Sequence, residues 1–240
     1  MSDLRRSRKA RLRQEYVCET VFRPLAHLVV LPLARLRVPP PAVVLASAAC
    51  GVAGAVALAR GTLVVAALLV QAKTILDNAD GQLARLTGNV TSFGRYLDSE
   101  CDLLVNAALF AGAGWYGGSG AAAAVGFAAL TLVLSINFNV ERIARGAPAT
   151  WDHSLLGRAY GALYGWQDRA IERLLPGRPD IVAVSVLAQL GMSSQLAAFG
   201  ICIAIGQPLA FAWIALGELG AALALCALTS STTEVSLDHH

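Results

Sequence analysis

The chain has 240 residues, 56% of them hydrophobic and only 15% charged, with a formal net charge of +3. Its mean hydropathy is +0.57. That balance is too apolar for an ordinary water-soluble domain and excludes a nucleic-acid-binding basic module. It suits one membrane domain with a short cytoplasmic element.

Residues 4–16 (LRRSRKARLRQEY) form a basic stretch of helix-forming composition, after which Val17, Val21, Leu25 and Leu28 recur at helical spacing. This predicts an amphipathic helix at the membrane interface within residues 1–38, its arginines drawn to anionic lipid. A solvated tail that only sets topology is the alternative. The stretch does not read as a signal peptide. Pro32 and Arg35 interrupt its apolar part, and no small-residue cleavage site follows.

Apolar runs long enough to span a bilayer lie near 41–59, 62–84, 96–117, 119–140, 181–206 and 208–229. The expected fold is therefore an all-α, polytopic bundle of six transmembrane helices over residues 39–229. Small residues crowd the first and fourth runs, which permits close helix approach. The loop at 146–180 has helical periodicity from Ser154 to Leu175 and carries Tyr160, Tyr164 and Trp166. An interfacial helix is expected there, with Asp152 and His153 in a solvated part of the loop. Residues 230–240 are polar and expected to be disordered.

With six spans, 17 of the 19 Lys and Arg residues fall on one side of the membrane. The positive-inside rule makes that side cytoplasmic, which predicts a multi-pass cell-membrane protein. The five cysteines show no paired spacing and read as reduced, small apolar residues. Cys101, between two aspartates, reads as packing rather than as a ligand.

The segment DNADGQLARLTGNVTSFGRYLDSECD, residues 77–102, sets Asp77, Asp80, Asp98 and Asp102 into apolar surroundings. An aspartate at the centre of a membrane helix costs ~2.5–3.5 kcal/mol on insertion scales, so such residues are kept for a function. Asp77, Asp80, Gly81, Ala84 and Arg85 share one helical face, and Lys73 lies one turn earlier. Asp98 and Asp102 are one turn apart on the next helix. Residues 86–94 let the chain turn back so that the faces meet. Four such carboxylates repel one another without cations. All-oxygen ligation favours Mg²⁺ or Mn²⁺, and four carboxylates can bridge two ions. Gly81 and Ala84 leave room for a ligand against the helix, and Arg85 offers a guanidinium to phosphate. Lys73 has two readings, a contact to phosphate and a countercharge to the acids, and both are open.

The spacing D-x-x-D-G-x-x-A-R-(x)8-G-x-x-x-D-x-x-x-D resembles the signature of the CDP-alcohol phosphotransferases, membrane enzymes of phospholipid synthesis. Asp77, Asp80, Gly81, Ala84, Arg85, Gly94, Asp98 and Asp102 fit all of its fixed positions. The resemblance implies transfer of a substituted phosphate, commonly phosphatidyl from CDP-diacylglycerol, to an alcohol with release of CMP. It implies metal ligation by Asp77, Asp80, Asp98 and Asp102, with Asp102 also the general base. It implies a CDP site shaped by Gly81, Ala84, Arg85 and Gly94, and a homodimer. The chain departs from many members in having Pro40-Pro41 and Val44 where they carry Pro-Asn and Thr. It has no Lys or Arg after Arg178, which weakens an inositol-phosphate acceptor. The acceptor and the lipid part of the donor stay open. A cation-coupled transporter or channel using the same carboxylates is the competing class.

Overall fold

A computed structural model describes residues 12–147, 155–174 and 179–237. Asp152, His153 and most of the basic N-terminal stretch lie outside the described residues. So does the end of the expected C-terminal tail, at 238–240.

The described residues are helical and contain no strand. A π-helical turn, Cys18–Phe22, runs into α1 (Arg23–Arg35). Then come α2 (Pro40–Ala59), α3 (Leu63–Leu86), α4 (Ser92–Gly117) and α5 (Gly120–Ala144). They are followed by α6 (Leu155–Leu174), α7 (Ile181–Leu187) with a 3₁₀ turn (Ala188–Leu190), α8 (Met192–Ala204) and α9 (Ala210–Leu237). Helix α9 thus continues through residues expected to be disordered.

The sequence predicts six spans. By length and composition, three helices suffice to cross a membrane: Pro40–Ala59, Gly120–Ala144 and the stretch Ala210–Leu228. A fourth is added if α7 and α8 count as one broken span, bent by 43°. Helices α3 and α4 have 24 and 26 residues. At ~1.5 Å per residue each exceeds a ~30 Å hydrocarbon core. Charge, not length, separates them from the other three, because Lys73, Asp77, Asp80 and Arg85 sit on α3 and Arg95, Asp98, Glu100 and Asp102 on α4.

The break in the expected fifth span has a local cause. Gly191 is extended (φ −75°, ψ 165°) and caps α8 without a side chain. The carboxylate of Glu15 replaces the missing cap: Oε1 accepts from Ser194 N at 2.6 Å and from Ser194 Oγ at 2.8 Å. An anion at a helix N-terminus also suits the helix dipole. Tyr16 N donates to Gln189 Oε1 at 2.9 Å, so the N-terminal segment is tied to the break at several points.

Along the π-helical turn and α1, Cys18, Phe22, Ala26 and Val30 are buried. The stripe singled out from sequence points the other way, with Val21, Leu25 and Leu28 exposed. Both faces of this segment are therefore apolar, and tertiary packing selects the inner one.

Helix α2 packs against both α3 and α4 and sets their separation. Its small residues permit this. A Cβ on Gly112 of α4 would lie 2.6 Å from the Ala55 carbonyl oxygen of α2. A Cβ on Gly51 of α2 would meet Val105 of α4 and lie 3.2 Å from Lys73 Cγ of α3. In a bilayer such close packing, with interhelical hydrogen bonds, drives association. The amide side chains of helix α3 donate several of those bonds. Gln71 Nε2 donates to Leu196 O at 3.1 Å, Asn78 Nδ2 to Ser193 Oγ at 3.1 Å, and Gln82 Nε2 to Arg23 O at 3.1 Å. Away from the site, Phe110, Phe199 and Phe211 form the aromatic centre of the bundle, with Phe199 and Phe211 stacked at 4.6 Å.

Candidate active site

The polar face of α3 begins with Lys73, of which 1% of the surface is exposed. Gly51 gives its stem room. Its ammonium donates to Asp77 Oδ1 at 2.9 Å and also to Asp102 Oδ1. Lys73 thus bridges the two acidic helices. This geometry favours the countercharge reading.

Asp77, Asp98 and Asp102 each offer a carboxylate oxygen, and these oxygens lie within 4.8 Å of one another. That group does not include Asp80, which is buried at 7% exposure. Its Oδ2 has no hydrogen-bond partner among the described residues. A buried carboxylate oxygen without a donor is costly. A divalent cation would satisfy it, and the all-oxygen donor set is that of a hard ion. The residues present fit such an ion.

The remaining motif residues have distinct local roles. Arg85 folds back over Gly81, where a Cβ would stand 3.2 Å from Arg85 Nη1. Gly81 thus accommodates the guanidinium close to its own helix. Ala84 is half-buried on the same face. Gly94 lies in the first turn of α4, and its N–H donates to the N-cap oxygen Thr91 Oγ1 at 3.0 Å. The turn between the helices uses Gly88 at φ 69°, a left-handed conformation that glycine adopts without strain.

Next to Asp98 and Asp102 opens a cavity of about 510 Å³ between α4, α5 and α6, which also touches Met192. Asn106 and Asn139 line it; Glu141 and Arg142 do not. Arg142 is instead engaged beneath the wall. Its Nε and Nη2 donate to Asn139 Oδ1 at 3.1 and 3.0 Å, and Nη2 to Glu172 Oε1 at 2.7 Å. Asn139 Nδ2 donates to Asp168 Oδ1 at 2.9 Å. Tyr160 of α6 donates its hydroxyl to Tyr96 O at 2.9 Å and packs on the Tyr96 ring. These contacts draw α6 over the cavity. Sequence reading left Asp168 and Glu15 aside, since each looks like a solvated charge.

The described residues, all-helical with apolar spans and with three carboxylates converging from adjacent helices, define a membrane protein with an acidic centre that could hold a cation. More narrowly, the sequence profile of the CDP-alcohol phosphatidyltransferases matches residues 37–228, and the chain belongs to that family. Phosphatidylinositol phosphate synthase of Corynebacterium glutamicum is 34% identical over 99 residues, 41% of this chain and 43% of that protein. The protein of the same name from Mycolicibacterium smegmatis is 39% identical over 87 residues, 36% of this chain and 39% of its own length. The matched stretch thus spans about two fifths of these relatives. The crystal structure of Mycobacterium tuberculosis phosphatidylinositol phosphate synthase with CDP-DAG bound aligns at 24% identity and a TM-score of 0.43, covering 78% of this chain and 93% of that one.

Proposed function

We propose that this chain transfers a phosphatidyl group from a CDP-linked lipid, CDP-diacylglycerol, to the hydroxyl of an alcohol, releasing CMP. One observation carries the reading. On residues that fit the family motif, Asp77, Asp98 and Asp102 converge within 4.8 Å, beside a cavity of substrate size.

In this reading Asp77, Asp80, Asp98 and Asp102 hold two Mg²⁺, with Mn²⁺ as a substitute. Bound there, the cations would neutralise the diphosphate and the departing CMP. Gly81 and Ala84 leave the α3 face low enough for the nucleotide, Arg85 pairs with its phosphates, and Gly94 shapes the start of α4. Lys73 holds Asp77 and Asp102 in register. Asp102 lines the cavity, which suits it to take the proton of the acceptor hydroxyl. The hydroxyl oxygen then bonds to the lipid-bearing phosphorus, the P–O bond to CMP breaks, and CMP leaves as an anion.

The proposal extends to topology. Helices α2 to α5, the broken α7–α8 pair and α9 form six spans of one membrane domain over residues 39–229. The basic segment of residues 1–38 lies at the cytoplasmic interface of the cell membrane, with α6 also interfacial and the carboxylates facing the cytoplasm. The outward apolar face of α1 suits lipid. A homodimer is part of the same reading.

The test is CMP release from purified protein with Mg²⁺ and CDP-diacylglycerol across a panel of alcohols. Acceptor-dependent release is expected, lost in Asp102→Asn by at least about a hundredfold for loss of a general base. Near-normal turnover in a folded Asp102→Asn protein would remove Asp102 from that role.

A further inference from the structure

The cavity beside Asp102 has a charge and hydrogen-bonding character of its own. Its described lining includes four carboxylates, those of Asp98, Glu100, Asp102 and Asp168, and one cation, Arg95. Arg95 is exposed, and its Nη2 donates to Ser92 Oγ at 3.2 Å, toward the start of its own helix. The two arginines at the end of α5 are engaged elsewhere: Arg142 with Asn139 and Glu172, Arg145 with Glu141. Neither lines the cavity.

A second, independent observation concerns Asn106, one turn beyond Asp102 on α4. It lines the cavity and is only 6% exposed. Its Oδ1 is buried without a partner among the described residues, while its Nδ2 has only the weak acceptor Met192 Sδ at 3.7 Å. A buried carbonyl oxygen of this kind calls for a donor.

We infer that the acceptor is an alcohol without a phosphate, rich in hydrogen-bond donors: a neutral polyol or an amino alcohol. This rests on the transferase reading above. A phosphate group brings a charge of about −1.5 to −2 and only acceptor oxygens. Placed there, it would add negative charge to a described lining with four carboxylates and one cation, and it would offer no hydrogen to Asn106 Oδ1. Hydroxyl or ammonium hydrogens match the same wall, with Asn106 Oδ1 and the carboxylates accepting. The inference parts from the relatives, whose names carry a phosphorylated inositol headgroup.

The experiment pairs each alcohol with its phosphate: myo-inositol with inositol 3-phosphate, and glycerol with glycerol 3-phosphate. Serine and ethanolamine supply the amino alcohols. CMP release is measured with the full chain in lipid nanodiscs containing CDP-diacylglycerol and Mg²⁺, and donor binding is measured separately. At least one unphosphorylated alcohol is expected to react tenfold or more faster than any phosphorylated one, and the preferred compound tells polyol from amino alcohol. In Asn106→Leu, the KM for that alcohol is expected to rise about tenfold, as for a lost buried hydrogen bond, with the donor KM unchanged. Preference for a phosphorylated acceptor overturns the inference and leaves the transferase reading standing. Donor binding with no release to any unphosphorylated alcohol does the same. Absence of both donor binding and CMP release sinks the transferase reading, and the inference with it.

Discussion

Replacing Lys73 by Met tests how the acidic centre is held together. Methionine keeps most of the stem and removes the ammonium. In the parent chain that ammonium is buried and bonded to Asp77 at 2.9 Å and to Asp102. Removing one member of a buried ionic group costs ~3–5 kcal/mol, because the partner charges stay buried. Here the partners also sit beside Asp98 in one group of carboxylates. A divalent cation can replace the lost charge, and a ligand at a hundredfold its Kd stabilises by about 2.7 kcal/mol. Thermal unfolding of Lys73→Met in detergent should therefore show a large loss in EDTA and a much smaller one in saturating Mg²⁺. Mg²⁺ affinity should rise, since Lys73 no longer competes for oxygens of Asp77 and Asp102. Equal losses in both conditions, with unchanged Mg²⁺ affinity, would refute the countercharge role. CDP affinity, measured on the same protein, decides the other reading of Lys73: if it is unchanged, the ammonium does not touch the donor.

Two further perturbations probe the scaffold. Gly112→Ala places a methyl 2.6 Å from the Ala55 carbonyl, where both sides are helix backbone. The α2–α4 contact must open, at a cost of ~1–3 kcal/mol for overpacking; an unchanged melting temperature would contradict this. Glu15→Ala removes the acceptor of Ser194 N and Oγ and should cost ~1–2 kcal/mol, as for loss of a helix cap. Hydrogen exchange should quicken at the first amides of α8, and protection equal to the parent's would show that the cap is dispensable.

Much of the candidate site was legible in the chain because it is local. Asp77, Asp80, Gly81, Ala84 and Arg85 share a face by helical periodicity alone, and so do Asp98 and Asp102. An ionisable residue in apolar sequence announces itself, because its cost in lipid demands a reason. The helices at 40–59, 63–86, 92–117 and 120–144 follow from apolar runs ended by Gly and Pro. Other features had no local sign. Glu15 looks like part of a solvated basic tail, yet it is 1% exposed and caps a helix 179 positions away. Asp168 lies on an amphipathic helix and reads as surface, until Asn139 and the fold of α6 bring it to the cavity wall.

The sequence by itself determined an all-helical chain, its membership in the CDP-alcohol phosphatidyltransferase family, and the faces on which its carboxylates stand, since these depend on spacing within single helices. Tertiary structure alone decided that Lys73 bridges Asp77 and Asp102, that the expected fifth span breaks at Gly191, and that the cavity beside Asp102 is lined by acids while Arg142 is engaged beneath its wall. Those outcomes depend on which small residues let helices approach, and on which distant polar groups then find one another, and periodicity along one helix carries no information about either.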